Sequence, residues 1–63
     1  MNSDEIIRRL EREGWQRRGG KGDHAKFKHP ERGGHVVVPH PRKDIRLGTL
    51  RNIYRQAGWT WKE

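Results

Sequence analysis

The fold is decided by the stretch His24-Ala25-Lys26-Phe27-Lys28-His29, along which polar and apolar side chains alternate. Alternation of this kind predicts a β-strand with one face in water and one face buried. Residues 30–34 contain a proline and two glycines and predict a turn, after which residues 35–38 predict the returning strand. The two strands predict an antiparallel hairpin, and residues 15–18 predict a third strand beside it.

A helix is predicted before the hairpin, over residues 4–13. Ser3 is the expected N-cap, and Gly14 is the expected stop. Between them the apolar side chains recur on one face of a helix, at Ile6, Ile7 and Leu10. This face predicts one wall of the hydrophobic core.

A second helix is predicted near the end of the chain, with Gly58 as its stop. Its apolar stripe consists of Leu47, Leu50, Ile53, Tyr54 and Ala57, and Arg51 and Arg55 lie opposite. Residues 39–45 contain two prolines and predict an extended connection to this helix. The predicted fold is therefore α+β, in the order α-β-β-β-α, with two helices packed on one face of a three-stranded antiparallel sheet.

The expected core joins the inward faces of these elements: Ile6, Ile7, Leu10, Phe27, Val36 or Val38, Leu50, Ile53 and Tyr54. Trp15 and Trp59 each follow a helix-ending glycine, where a large side chain commonly closes a core, so both are expected to pack rather than to stack on bases. Trp61 lies past the last predicted element and is expected to be exposed.

Length and charge limit the possible functions. The 63 residues predict a single domain over residues 1–63, and the absence of cysteine excludes a disulfide framework. No apolar run is long enough for a membrane span, so a cytoplasmic protein without membrane contact is expected. The net charge is +7, and residues 15–55 hold eleven basic and three acidic side chains. Nucleic acid is the first candidate for a partner of such a surface.

Three ordered motifs resemble the HicA toxin family: Gly22-Asp23-His24-Ala25-Lys26-Phe27-Lys28-His29-Pro30, then Val36-Val37-Val38-Pro39-His40-Pro41, then Gly48-Thr49-Leu50-Arg51-Asn52-Ile53-Tyr54-Arg55-Gln56-Ala57-Gly58. The resemblance spans nearly the whole chain. It implies a double-stranded-RNA-binding-domain-like fold, endoribonuclease activity on mRNA that arrests growth, and neutralisation by a HicB-type antitoxin. It also implies that His24 is catalytic, because the family's histidine follows a glycine and a small polar residue. Many members have serine where this chain has Asp23.

The residues themselves point to His24 as well, because strand alternation places it with Lys26 and Lys28 on the wet, basic face. Metal-free RNA cleavage needs proton transfer from the 2′-hydroxyl, proton transfer to the leaving 5′-oxygen, and cations that stabilise the phosphorane. Imidazole performs either transfer at neutral pH. Lys26 is expected to steady the phosphate and Lys28 to contact the RNA backbone further away. Gly22 belongs to a glycine-rich turn that lets RNA approach.

The other histidines are weaker candidates. His29 is expected to be a loop residue and His35 to face solvent, while His40 has either a structural role or the second proton-transfer role. The spacing of the histidines does not predict a metal site, and no cofactor is expected.

Two alternatives compete with an RNA-cleaving toxin. One is a non-catalytic module that binds double-stranded RNA or DNA through phosphate contacts, and the other is a domain that docks on an acidic protein. A histidine on the open sheet face favours the enzyme, because a shape-reading module does not need one. In the toxin interpretation, mRNA and the antitoxin would compete for the surface around His24.

Overall fold

The computed structural model describes residues 1–61, and its elements follow the predicted order α-β-β-β-α. They are α1 (Ser3–Arg12), β1 (Gln16–Arg17), β2 (His24–His29), β3 (Arg32–Pro39) and α2 (Leu47–Ala57). The strands form one antiparallel sheet in the order β1-β2-β3, so β2 is central. Neither helix in this part of the chain is long and apolar enough to cross a membrane. Residues 62 and 63, the end of the predicted domain, lie outside the described residues.

The alternation along β2 is confirmed, since Ala25 and Phe27 are fully buried while His24 and Lys28 are exposed. The predicted turn is present but shorter than residues 30–34, because it occupies only residues 30 and 31 and β3 already begins at Arg32, which pairs with His29. Residues 32–35 are all exposed, so this end of the hairpin extends beyond the core. Backbone pairing between His29 and Arg32 and a hydrogen bond from the Arg32 guanidinium to the Ala57 carbonyl hold it there, and no burial pattern marks it in the sequence.

Helix α1 begins one residue earlier than predicted. Asn2 is the N-cap: its side chain accepts a hydrogen bond from the Glu5 backbone, and the Glu5 carboxylate accepts one from the Asn2 backbone. This reciprocal pair is a capping box. The prediction of Ser3 as the N-cap is therefore wrong, and the Ser3 side chain, only 2% exposed, has another use described below.

Helix α2 ends at Gly58 in the left-handed conformation, as predicted. Leu50, Ile53 and Ala57 bury one face of the helix. Leu47, predicted on the same stripe, is 59% exposed. It is the first residue of α2, and the helical stripe points into the core only from the following turn onward.

The core lies between the inner face of the sheet and the two helices. It contains Ile6, Leu10, Trp15, Ala25, Phe27, Val36, Val38, Ile45, Leu50, Ile53, Ala57 and Trp59. Ile7 and Tyr54 are partly buried against it, and so is Trp61, which was expected to be exposed. Trp61 packs edge-on against Tyr54, with ring centroids 5.0 Å apart. The outer face of the sheet carries no helix.

Glu13 joins the two helix ends. Its carboxylate accepts a hydrogen bond of 2.6 Å from the Trp59 indole and one of 3.2 Å from Arg9, whose guanidinium also lies over the Trp59 ring. Burial raises the pKa of Glu13, but the Trp59 and Arg9 hydrogen bonds and the nearby positive charges outweigh it, so the pKa lies below its usual value. The ionised form of Glu13 therefore contributes to stability.

Candidate active site

A glycine-rich loop positions His24 at the start of β2. The backbone N–H of His24 donates to the carbonyl of Lys21, which closes a tight turn through Gly22 at φ +57°. Gly20, at φ +112°, packs against the β2 backbone, where a Cβ would overlap the His24 carbonyl oxygen. The loop therefore fixes where β2 begins. A Cβ on Gly22 would meet nothing within 4 Å, so the turn beside His24 is open.

The imidazole of His24 is held by its chain neighbour. Nδ1 lies 3.0 Å from Oδ1 of Asp23, and both side chains are 56% exposed. A carboxylate oxygen this close repels a lone pair on Nδ1 and so favours the tautomer with its proton on that nitrogen. In the neutral ring, Nε2 then carries the lone pair that can accept a proton from a substrate.

Arg42 extends this contact from the far side of the carboxylate. Its Nη2 lies 3.2 Å from Oδ2 of Asp23, so Asp23 bridges an imidazole and a guanidinium with its two oxygens. Arg42 lies in the connection between β3 and α2. Its backbone N–H donates to the Ser3 hydroxyl, and its carbonyl accepts from the Ser3 backbone. The buried Ser3 thus anchors the segment that carries Arg42.

His40 belongs to the same anchor. Its Nδ1 lies 2.8 Å from the Ser3 hydroxyl and 3.9 Å from an Asp4 oxygen, and its backbone N–H donates to the Asp23 carbonyl. These contacts connect α1, the Asp23 turn and the connection after β3. They favour the structural role of His40 over the proton-transfer role.

His24 is one of the residues that line a groove between the edge of β3 and α2. The groove encloses about 550 Å³ and is lined by His24, Val37, Pro39, Arg42, Asp44, Ile45, Arg46, Thr49, Asn52 and Gln56. Its side chains include two arginines and one carboxylate. A phosphodiester that reached His24 from this groove would meet guanidinium groups on the way.

Lys26 and Lys28 lie on the outer sheet face with His24, as the alternation predicts. Both line a separate shallow depression with Gln16 and Arg18, towards β1. The structure therefore brings Lys26 and Lys28 together, but it places them beside the groove and not within it. Basic side chains therefore lie on two sides of His24, in the groove and in the depression lined by Lys26 and Lys28. The sequence predicted only the second surface.

The remaining histidines have other surroundings. The Nε2 of His29 lies 3.0 Å from the Glu13 carbonyl, and its Nδ1 accepts from the Glu31 backbone. Its ring packs edge-on against Trp15. His29 therefore fastens the hairpin to the end of α1. His35 is exposed on β3. Residues 1–61 contain no group of three or more histidines and carboxylates placed to hold a metal ion.

The sequence interpretation missed Arg42 and the polar residues of α2. Arg42 is 19 positions from Asp23, and nothing in a single sequence indicates their contact. A signal did exist in α2, because Thr49, Asn52 and Gln56 recur at helical spacing and form a second, uncharged face beside the apolar stripe.

The comparisons with known proteins concern the family and the fold of the chain. A family model described as the HicA toxin of bacterial toxin–antitoxin systems matches residues 3–59. A solved structure named "HicA3 and HicB3 toxin-antitoxin complex" contains a chain of 39% identity with a TM-score of 0.80. The match covers 98% of this chain and 100% of that one. The comparison with curated proteins gave no match. Because the family model covers most of the sequence, this chain belongs to the HicA toxin family.

Proposed function

We propose that this chain is the toxin of a toxin–antitoxin system and acts as a metal-independent endoribonuclease that cleaves mRNA, with His24 as the catalytic residue. The observation that carries the proposal is the exposed imidazole of His24 in the lining of the groove, with Nδ1 3.0 Å from a carboxylate oxygen of Asp23. Cleavage of mRNA would stop translation and arrest growth, as expected of a toxin.

In the proposed reaction, Nε2 of His24 takes the proton of an RNA 2′-hydroxyl. The 2′-oxygen then bonds to the adjacent phosphorus, and the bond from phosphorus to the 5′-oxygen breaks. The proton now on Nε2 can pass to the leaving 5′-oxygen, which restores the neutral imidazole. The cycle does not require a second histidine, and His29, His35 and His40 do not line the groove. The products are a 2′,3′-cyclic phosphate and a 5′-hydroxyl.

Asp23 is a positioning residue in this scheme. Its carboxylate keeps the proton on Nδ1 and stabilises the imidazolium that forms when Nε2 is protonated. Arg42 holds the second carboxylate oxygen and keeps further N–H donors for the phosphate. The phosphorane therefore forms beside a cation that the fold has already placed.

Lys26, Lys28 and the open turn at Gly22 are proposed to bind the RNA backbone outside the groove. A binding comparison tests this surface: neutralising Lys26 and Lys28 together should weaken RNA binding and reduce the slope of log affinity against log salt by roughly two. The matched control neutralises Arg8 and Arg12, which are exposed on α1. An equal loss of RNA affinity in the control would show that RNA binds to a different surface.

A HicB-type antitoxin is the proposed protein partner, covering the surface around His24. The support is the related chain, which was solved as a complex of HicA3 with HicB3. If the antitoxin covers this surface, it should displace RNA from the toxin, and excess RNA should compete with it. Formation of a ternary complex without competition would place the antitoxin on another face.

Expression of the His24→Ala variant tests the catalytic proposal. Growth arrest and RNA cleavage should both disappear, while the melting temperature, RNA binding and antitoxin binding stay near those of the wild type. Activity should be lost without loss of stability because His24 is exposed and its truncation leaves no cavity. Arrest that persists with His24→Ala would contradict the assignment, and a variant that loses its fold would be replaced by His24→Gln.

A further inference from the structure

We propose that the groove between β3 and α2 is a nucleotide-binding site that takes the unpaired base next to the scissile phosphate and reads its edge. The inference rests on the proposed ribonuclease function, because His24 lines the groove. It adds a specificity site whose ligand is a single-stranded ribonucleotide.

The wall of the groove formed by α2 can distinguish one base from another. Thr49, Asn52 and Gln56 line it with a hydroxyl and two amides, groups that both donate and accept hydrogen bonds. Gln56 is already oriented, because its Oε1 accepts a 3.0 Å hydrogen bond from the Val37 backbone. Its amide nitrogen keeps its donors for another acceptor, so part of the wall is organised before a ligand arrives.

The other surfaces match the other parts of a nucleotide. Val37 and Pro39, half-buried on β3, provide apolar contact where the flat face of a base can lie, and the largely buried Ile45 lies behind them in the connection to α2. Arg42 and Arg46 supply positive charge for phosphate oxygens. Apolar contact, uncharged amides and cations in one groove correspond to the face, the edge and the phosphate of one nucleotide.

The amide and apolar lining of the groove favours an unpaired nucleotide over a duplex or an acidic peptide. A volume of about 550 Å³ leaves room for a nucleotide. In unpaired RNA the base edges are free for amide side chains. An acidic peptide would use the arginines, but its carboxylate side chains offer no flat apolar face to Val37 and Pro39.

Binding of mononucleotides to the wild-type protein tests the site without any cleavage, since these ligands contain no phosphodiester. The four ribonucleoside 3′-monophosphates are titrated separately and followed through the side-chain amide NMR signals. The signals of Asn52 and Gln56 should shift, and the four affinities should differ. Asn52→Ala should weaken the preferred nucleotide by roughly three- to tenfold, the value of one or two hydrogen bonds. Arg55→Ala, on the exposed side of α2, should change little.

Inorganic phosphate and an acidic peptide serve as comparison ligands. The proposal is overturned if phosphate reproduces the nucleotide shifts, if all four nucleotides bind equally, or if the peptide alone occupies the groove. A second arm maps cleavage sites in a random RNA: Asn52→Ala should change the base preference beside the cut, and Arg55→Ala should not. If nucleotides bind selectively but no RNA is cut, the groove assignment stands and the proposed function fails. If RNA is cut without any base preference, the proposed function stands and the groove assignment fails.

Discussion

Asp23→Ala is the substitution that most clearly separates positioning from binding at this site. It removes the carboxylate that holds His24 Nδ1 at 3.0 Å and Arg42 Nη2 at 3.2 Å. The imidazole would then rotate and exchange its proton between the two nitrogens. The guanidinium of Arg42 would lose its partner and become more available to phosphate. Turnover should therefore fall while RNA affinity is kept or rises.

The size of the fall follows from the distance and the exposure. Both side chains are 56% exposed, so the contact lies in a largely aqueous dielectric. At this separation the interaction of the carboxylate with the imidazolium is about 1.4 kcal/mol, or about tenfold in rate. Loss of the ring orientation adds to this, towards about a hundredfold. His24→Ala should cost more, about 10²- to 10⁴-fold.

Single-turnover cleavage of a labelled RNA, with the dissociation constant measured in parallel, gives both quantities. Glu11→Ala is the matched control, because it also removes an exposed carboxylate, one that lies on α1 outside the groove. It should leave the cleavage rate near that of the wild type. The reasoning is refuted if Asp23→Ala cleaves at the wild-type rate, or if its loss is entirely one of affinity. Melting temperatures exclude unfolding as the cause.

Two further predictions concern the scaffold. Because the pKa of Glu13 is lowered in the folded state, the stability that Glu13 contributes is present above its ordinary pKa of 4.5 and is lost as the pH falls through the folded-state pKa. Glu13→Gln should therefore flatten the acid side of a plot of unfolding free energy against pH. An unchanged curve would contradict this. Gly20→Ala and Gly19→Ala both force alanine into positive φ, at about 1–2 kcal/mol each, yet only Gly20→Ala meets the His24 carbonyl. Cleavage should therefore fall with Gly20→Ala and persist with Gly19→Ala, and equal rates would show that the loop does not position His24.

Much of the fold follows from local rules that the sequence displays. The alternation through Ala25 and Phe27 predicts the central strand, and with it the exposure of His24. Gly58 predicts the end of α2 through its left-handed conformation. Burial decides the strand and backbone conformation decides the helix end. Both depend on a few neighbouring residues, so the local sequence is enough to predict them.

The structure differs from the sequence predictions where contacts between distant parts of the chain determine the role of a residue. Ser3 has the chemistry of an N-cap, yet its hydroxyl accepts from Arg42, which is 39 positions away. The contact between Asp23 and Arg42 also joins distant parts of the chain, because Arg42 lies in the connection between β3 and α2. The groove likewise depends on how α2 lies along β3. Sequence reasoning therefore found the catalytic candidate and one basic surface, and it missed the residues that would orient His24 and select a nucleotide.

The most direct test of the proposed chemistry is end-group analysis of RNA cut in the presence of a metal chelator, with His24→Ala as the control. The products should carry a 2′,3′-cyclic phosphate and a 5′-hydroxyl, because the substrate's own 2′-oxygen is the proposed nucleophile. The control should leave the RNA intact. A 5′-phosphate on the product, loss of activity in chelator, or equal cleavage by His24→Ala would each contradict a metal-independent reaction catalysed by His24.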